Sequence, residues 1–437
     1  MATKNIFVIG LDEFNRSHLE RIRGASQYRF HGLLPLETAV HAENYDVDAL
    51  LAEARSELEG FAGSVDAIVS YWDFPSSAMV PILRQWMGLP SPSLESVLMC
   101  EHKYWSRVEQ TRAVPEHVPA FAAFNPFDAD PLAQIDLPYP FWIKPVKAHS
   151  SQLGFHIAGR ADFEAALPVI RDGIGRLATP FDTVLRYADV PAEIAPIGGH
   201  YCLAEAIISE GLQCTLEGYV QNGRTHVYGV VDSLRKGKYG SCFTRYVYPS
   251  DLPSDVTDRM KAITGRFFEH IGFDQATFNI EFFYDSDRDE IKLLEINPRI
   301  SKSHSPLFEL VDGASHQQVM VEVALGKDPG FPEREGRYPM AAKFMTRVYQ
   351  DARVVAVPSE ADIAAAHSSV PGTEIELGVE AGQHLSELLH QDPYSYEVAV
   401  IFIGGEREAD LEDKYRRCIG MLPFEFDPPI EDDLYLA

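Results

Sequence analysis

Basic residues are scarce in this chain of 437: 38 Lys and Arg stand against 65 Asp and Glu, a formal charge of −27. With no local Lys/Arg run, that balance argues against nucleic acid or an anionic membrane as a partner. Cysteine is sparse too. Cys100, Cys202, Cys214, Cys242 and Cys418 are odd in number, scattered and without a Cys-x-x-Cys pair, so they read as free thiols in a reducing compartment. No apolar run reaches the roughly 18 residues of a membrane-crossing helix. Met1-Ala2-Thr3-Lys4-Asn5-Ile6 lacks a signal-peptide layout, so the expectation is a soluble, cytoplasmic protein. Internal repeats and low-complexity tracts are missing as well. Glycine is absent where a dinucleotide site needs it. Gly10 is followed by Leu11-Asp12-Glu13-Phe14, with no second or third glycine to let a pyrophosphate approach a helix end.

What is present is a globular composition, 46% apolar, with length for two or three domains. The strongest pattern lies at 277–299. Thr277, Asn279 and Glu281 alternate with Phe278, Ile280 and Phe282, the period of a half-buried strand. A polar turn from Asp285 to Glu290 follows. In the next run Ile291, Leu293, Glu295 and Asn297 share a face, and Pro298 ends the ladder. Symmetric pairing about the Asp287/Arg288 region sets Glu281 opposite Glu295, with facing Cβ atoms roughly 5 Å apart. Two carboxylates so placed repel unless a hard cation lies between them. Oxygen ligands, the amide of Asn297 and the neighbouring Arg299 suit Mg²⁺ carrying phosphates. A solvent-facing strand pair whose charges never meet is the other reading of the same spacing.

Glu295-Ile296-Asn297-Pro298-Arg299, preceded by Asn279-Ile280-Glu281 and followed by Ser301-Lys302-Ser303, resembles the closing metal site of the ATP-grasp superfamily. The run Leu307 to Gly326 resembles the stretch after that motif in the carbamoyl phosphate synthetase and biotin carboxylase branch. L-amino-acid ligases are also in the superfamily. The resemblance implies an α/β fold, α+β within the grasp module. Residues 1–95 would form a Rossmann-like pre-ATP-grasp domain and 96–330 the nucleotide-binding module, with a lid at about 120–202. Residues 331–437 would form a C-terminal α/β lobe.

Further motifs agree with that layout. Asn5–Gly10, Tyr28–Leu34 and Val65–Tyr71 read as buried strands alternating with helices over 15–23 and 46–61, hence a parallel sheet. Ser93 begins a capped helix that holds Glu101-His102-Lys103. Lys103 stands where the family's Asp-Lys step faces the nucleotide, with a surface lysine as the other reading. In Phe141-Trp142-Ile143-Lys144-Pro145-Val146-Lys147, a lysine in an apolar strand needs an anionic partner. The resemblance makes Lys144, and more weakly Lys147, a phosphate contact. The next loop, His149 to Gly154, has one glycine where relatives have a glycine-rich lid. Ser150 and Ser151 would donate hydroxyls there, unless it is an ordinary polar loop. Glu205, Ala206, Ile207 and Ile208 resemble the adenine hinge, and Gln213 stands where relatives hold the ribose with a glutamate. A helix near 161–176 is interrupted by Pro168.

These residues imply an ADP-forming ligase that activates a small carboxylic or amino acid as an acylphosphate and joins it to an amine. Glu281, Glu295 and Asn297 would hold Mg²⁺, with Mn²⁺ as the alternative. Arg299 and Lys144 would be catalytic on ATP phosphates. Ser303, His304 and Arg245 are the candidates toward substrate, against structural or surface roles. Bicarbonate activation, or ATP binding without catalysis, are the competing functions. The expected partners are small-molecule carboxylate and amine substrates, with a homodimer left open.

Overall fold

The structure is a computed structural model and describes residues 3–148, 152–236, 242–388 and 395–430. The chain divides into two compact units. One comprises 1–228, 252–302 and 316–330, and the other 229–251, 303–315 and 331–437. Residues 1–95 and most of 96–330 therefore fall in the first unit, while 229–251 and 303–315 fall in the second with 331–437.

In the first unit, Lys4–Ile9 is the middle of a three-stranded parallel sheet, between Tyr28–Leu33 and Ala67–Val69. Ile6, Val8, Leu19, Val69 and Tyr71 pack in one layer with Ile300, Met320 and Val321. Phe7, Ile9 and Ile68 face a second core. It includes Leu50, Leu51, Ala54 and Leu58, the one-face apolar positions of the helix Val47–Gly60.

A second, antiparallel sheet has the order Phe121–Phe124, Cys202–Ala206, Phe141–Pro145, Phe155–Ile157. The helix Arg160–Gly173 covers it through Phe163, Ala166, Leu167 and Ile170. Pro168 lies inside that helix rather than ending it. Its missing N–H removes one ladder bond, but the apolar stripe is held by the sheet beneath and outweighs the local penalty.

The third sheet element carries the predicted hairpin. Glu290–Asn297 pairs with Ala276–Asp285, which pairs with Leu212–Gln221, all antiparallel. Behind it lies the helix Ser254–Ile271, stopped by Gly272 in the left-handed region (φ 62°). Phe268 meets Phe278 at 4.3 Å between ring centroids. Arg224–Lys236 carries the chain from the first unit into the second.

In the second unit, the portion of that strand beyond Gly229 pairs with Cys242–Tyr248, which pairs with Met340–Val348. Tyr396–Gly405 and Thr373–Leu377 follow in turn. Ala366 and Val370, at the end of one helix, and Leu411, Tyr415 and Cys418 of another pack on Phe344, Ile401 and Ile403. Among the described residues no helix is long and apolar enough to cross a membrane.

Candidate active site

Period-2 alternation gives the hairpin sheet of the first unit one polar face. Gln213, Thr215 and Glu217 share it with Thr277, Asn279 and Glu281, and with Glu295 and Asn297. The ladder aligns Glu217, Asn279 and Asn297 in one row and Thr215, Glu281 and Glu295 in the next. Cys214, Leu216, Phe278, Ile280, Phe282 and Leu293 fill the opposite, buried face.

The expected opposition of Glu281 and Glu295 is present, but symmetric pairing does not produce it. From the turn outward, Asp285 pairs with Glu290, Tyr284 with Ile291, Phe283 with Lys292 and Phe282 with Leu293. Continuing that count would set Leu294 against Glu281. The register slips there by one residue, and Glu281 meets Glu295 instead. Leu294 is the extra residue of a β-bulge.

Hydrogen bonds orient this face. Gln213 Nε2 donates to Glu281 Oε2 at 2.7 Å. Gln213, expected at the ribose, thus reaches a candidate metal ligand through its amide N–H. Gln213 is buried, and its Oε1 has no hydrogen-bond partner among the described residues. Asn297 Nδ2 donates to Asn279 Oδ1 (2.9 Å), and Asn279 Nδ2 donates to the Arg299 carbonyl (3.1 Å). That arrangement leaves the Asn297 amide oxygen as its ligand atom. Burial holds the Glu217 carboxyl well above the usual carboxylate range. The Ser301 N–H and Arg299 oppose that rise, and Glu281 adds to it.

The cations come from three places. Lys103 opens the helix Lys103–Ala113, and His102 is the joint between it and Leu94–Glu101, so the chain breaks where one continuous helix was expected. The reason is local. His102 Nδ1 accepts the Trp105 N–H (3.2 Å) as a helix cap, and Nε2 donates to the Ile197 carbonyl (2.8 Å). Burial pushes this imidazole down to about 4, so it stays neutral, as the cap requires. His102 therefore caps the second helix. The break points Lys103 Nζ at the Ala148 carbonyl (2.6 Å) and sets it 3.9 Å from Glu295. Burial lowers this ammonium to about 8, Glu295 resisting and Lys144 and Lys147 adding to the fall.

Lys144 lies 2.6 Å from Glu205 Oε2, and Arg107 Nε meets Glu205 Oε1 at 2.5 Å. The two residues assigned separately to phosphate and to the adenine hinge thus form one ion pair. Burial alone would raise the Glu205 carboxyl, but Arg107 and Lys144 hold it down at about 2. The strand ends at Ala206, so Ile207 and Ile208 follow it as non-regular backbone. Lys147, the weaker phosphate candidate, is turned inward. It pairs with buried Glu101 (2.9 Å) and lies over the rings of Phe74 and Phe181. His149, Ser150 and Ser151 lie outside the described residues.

Arg299 is held by Asp73, which follows the strand Ala67–Val69. Nε and Nη2 meet Asp73 Oδ1 at 2.9 and 2.6 Å. Burial works to lower the guanidinium, but Asp73, Glu217 and Glu295 hold it above its ordinary value. Ser303, His304 and Arg245 belong to the second unit. There His304 is buried edge-on to Tyr246 at 4.8 Å, and Arg245 is paired with Glu408 (2.6 Å) and Glu412 (3.2 Å).

The donor set suits a hard divalent cation: two facing carboxylates and an amide oxygen, with Lys103 in a long ion pair with one carboxylate at 3.9 Å. Sequence reasoning missed Arg107, Asp73 and Glu101. The only local hint was an Arg and a Gln three apart, Arg107 and Gln110, on the buried side of a polar helix.

Residues 137–306 match the family model of the ATP-grasp domain, a span holding Lys144, Glu205, the hairpin and Arg299. The carbamoyl phosphate synthase large chain, C-terminal section, of Methanopyrus kandleri is 23% identical over 208 residues. The match takes in 47% of this chain but only 34% of that relative's length. Among solved structures, L-amino acid ligase from Bacillus licheniformis superposes with a TM-score of 0.70 at 15% identity, covering 97% of this chain and 99% of that one. N5-carboxyaminoimidazole ribonucleotide synthetase from Thermotoga maritima gives 0.62 at 14% identity, covering 97% and 99%. Biotin carboxylase from Campylobacter jejuni gives 0.60 at 13%, covering 97% and 92%. The ATP-grasp domain match is confined to 137–306, and the chain shares the fold of these solved structures over nearly its whole length.

Proposed function

We propose that this ATP-grasp chain is an ADP-forming ligase that activates a small carboxylic or amino acid as an acylphosphate and couples it to an amine. The observation that carries the reading is the row Glu281–Glu295, two carboxylates facing across a hairpin with Asn297 beside them. Glu281, Glu295 and Asn297 would hold Mg²⁺, which when bound neutralises phosphate oxygens and lowers the cost of charge developing on them. Lys103, 3.9 Å from Glu295, and Lys144, paired with Glu205, would take phosphate oxygens as point charges. The substrate carboxylate attacks the γ-phosphorus, the β,γ-bridging oxygen leaves with ADP, and the amine then displaces phosphate from the acyl carbon. Arg299, in the loop directly after the metal strand, stabilises charge on the transferring group. Acylphosphates hydrolyse, so the face must be closed to water during turnover.

The similarity to a carbamoyl phosphate synthase section favours a second reading, activation of bicarbonate in place of an organic acid. A screen of ADP release with amino acids, peptides and simple acids, each with and without an amine and with and without added bicarbonate, decides between them. Turnover that needs an organic carboxylate and an amine supports ligation. Turnover that needs only bicarbonate transfers the function to the second reading. Magnesium-dependent ATP binding with no turnover on any acid overturns both.

A further inference from the structure

We propose that Arg107 is a positioning residue that locks the bulge at Leu294 and thereby sets Glu295 opposite Glu281. This rests on the metal assignment made above. In a regular strand, successive carbonyls point to opposite edges, so two in a row cannot face one partner on the same side. The Leu293 and Leu294 carbonyls both do. Arg107 Nη1 donates to Leu293 O and Nη2 to Leu294 O, each at 2.9 Å. The guanidinium fork thus engages the irregularity that adds one residue to the strand. Its remaining contacts fix it in place. Nε meets Glu205, and Nη1 also meets Gln110 Oε1 at 2.6 Å. Arg107 as a whole is 2% exposed.

Without that fork the strand has an alternative close at hand. Pairing continued from the turn would place Leu294 across from Glu281 and move Glu295 out of the row, because a slip of one residue changes what faces what. Glu205 links the same device to Lys144, so one guanidinium ties the lysine assigned to phosphate to the register of the strand that bears Glu295 and Asn297. The Arg107 guanidinium is engaged by Glu205, Gln110 and the Leu293 and Leu294 carbonyls, and it is not among the residues assigned to metal or phosphate. Its effect reaches them through the strand.

The test compares wild type with Arg107→Met, which keeps bulk without donors, and Arg107→Lys, which keeps the charge near Glu205 but has no fork. Two quantities are read: Mn²⁺ affinity in the presence of a non-hydrolysable ATP analogue, by electron paramagnetic resonance, and affinity for that analogue alone in EDTA. Arg107→Met is expected to weaken Mn²⁺ binding about tenfold or more while analogue affinity in EDTA stays within about twofold, with Arg107→Lys between it and wild type. Mn²⁺ affinity within about twofold of wild type overturns the proposal. So does a parallel loss of both affinities, which marks a general structural role. Where Arg107→Met does not fold, Arg107→Lys and Gln110→Ala, which removes one anchor of the guanidinium, decide by the same ratio. A wild type that binds no Mn²⁺ with the analogue sinks the metal assignment itself, an outcome distinct from unchanged variants of a wild type that does bind it.

Discussion

Two neighbouring sheets of the first unit treat charge in opposite ways. In the four-stranded sheet, Glu205 is enclosed by Lys144 at 2.6 Å and Arg107 at 2.5 Å, and each charge has a close opposite. In the hairpin sheet, Glu281 and Glu295 face each other across a bulge, and Lys103 stays 3.9 Å from Glu295. A purely structural sheet would follow the first pattern, since like charges directly opposite destabilise a strand pair. Departure from a local rule that the rest of the sheet obeys is what the proposed metal role of this row calls for.

That contrast can be broken from either side. The largest effect is expected in the paired sheet. Glu205→Ala leaves Arg107 and Lys144 buried beside a missing partner and should cost about 3–5 kcal/mol of stability, read by urea unfolding. A loss below about 1 kcal/mol would show that the pair is not a structural node. In the facing row the sign reverses. Glu295→Gln relieves repulsion, so the melting temperature should hold or rise while ADP release falls about 100-fold, equivalent to about 2.7 kcal/mol of barrier. Unchanged ADP release would remove Glu295 from the metal site.

The pH dependence sharpens the comparison at a smaller scale. Lys103 is lowered to about 8 from 10.5, first by burial, so between those values the unfolded chain binds the proton that the folded chain has lost. Its contribution to stability therefore rises with pH across that window. Magnesium-ATP affinity should move the other way, falling about tenfold as pH rises through 8, because the charged form is the one that holds phosphate. Lys103→Met should flatten both trends, and a calorimetric pH series on the two proteins reads them. The smallest effect belongs to the helix that ends at the His102 joint. Ser93 accepts the Ser96 N–H at 3.1 Å, and Ser93→Ala should cost about 1 kcal/mol in thermal unfolding with no change in nucleotide affinity.

Much of the fold is legible from local pattern. Alternation marks the hairpin strands, a one-face apolar stripe marks Val47–Gly60, and Gly272 marks the end of Ser254–Ile271. Pro168 misleads because propensity is a weaker term than burial of Phe163, Ala166 and Ile170 against a sheet. His102 misleads because an imidazole used as a cap looks, in sequence, like any helical residue. Lys147 misleads more simply: its partner Glu101 lies on another element, so nothing local shows that it faces inward.

The order of residues by itself determined which side chains lie on the polar face of the hairpin, since side-chain period is a property of the strand. It determined the oxygen-rich composition of that face and the lysine before Pro145. Only the tertiary structure decided that Glu281 meets Glu295 rather than Leu294, and that Lys144 and Glu205 are one pair. The physical reason is distance along the chain. Arg107 contacts Glu205 98 positions away and Leu293 186 positions away, and such contacts exist only once separate elements have packed together.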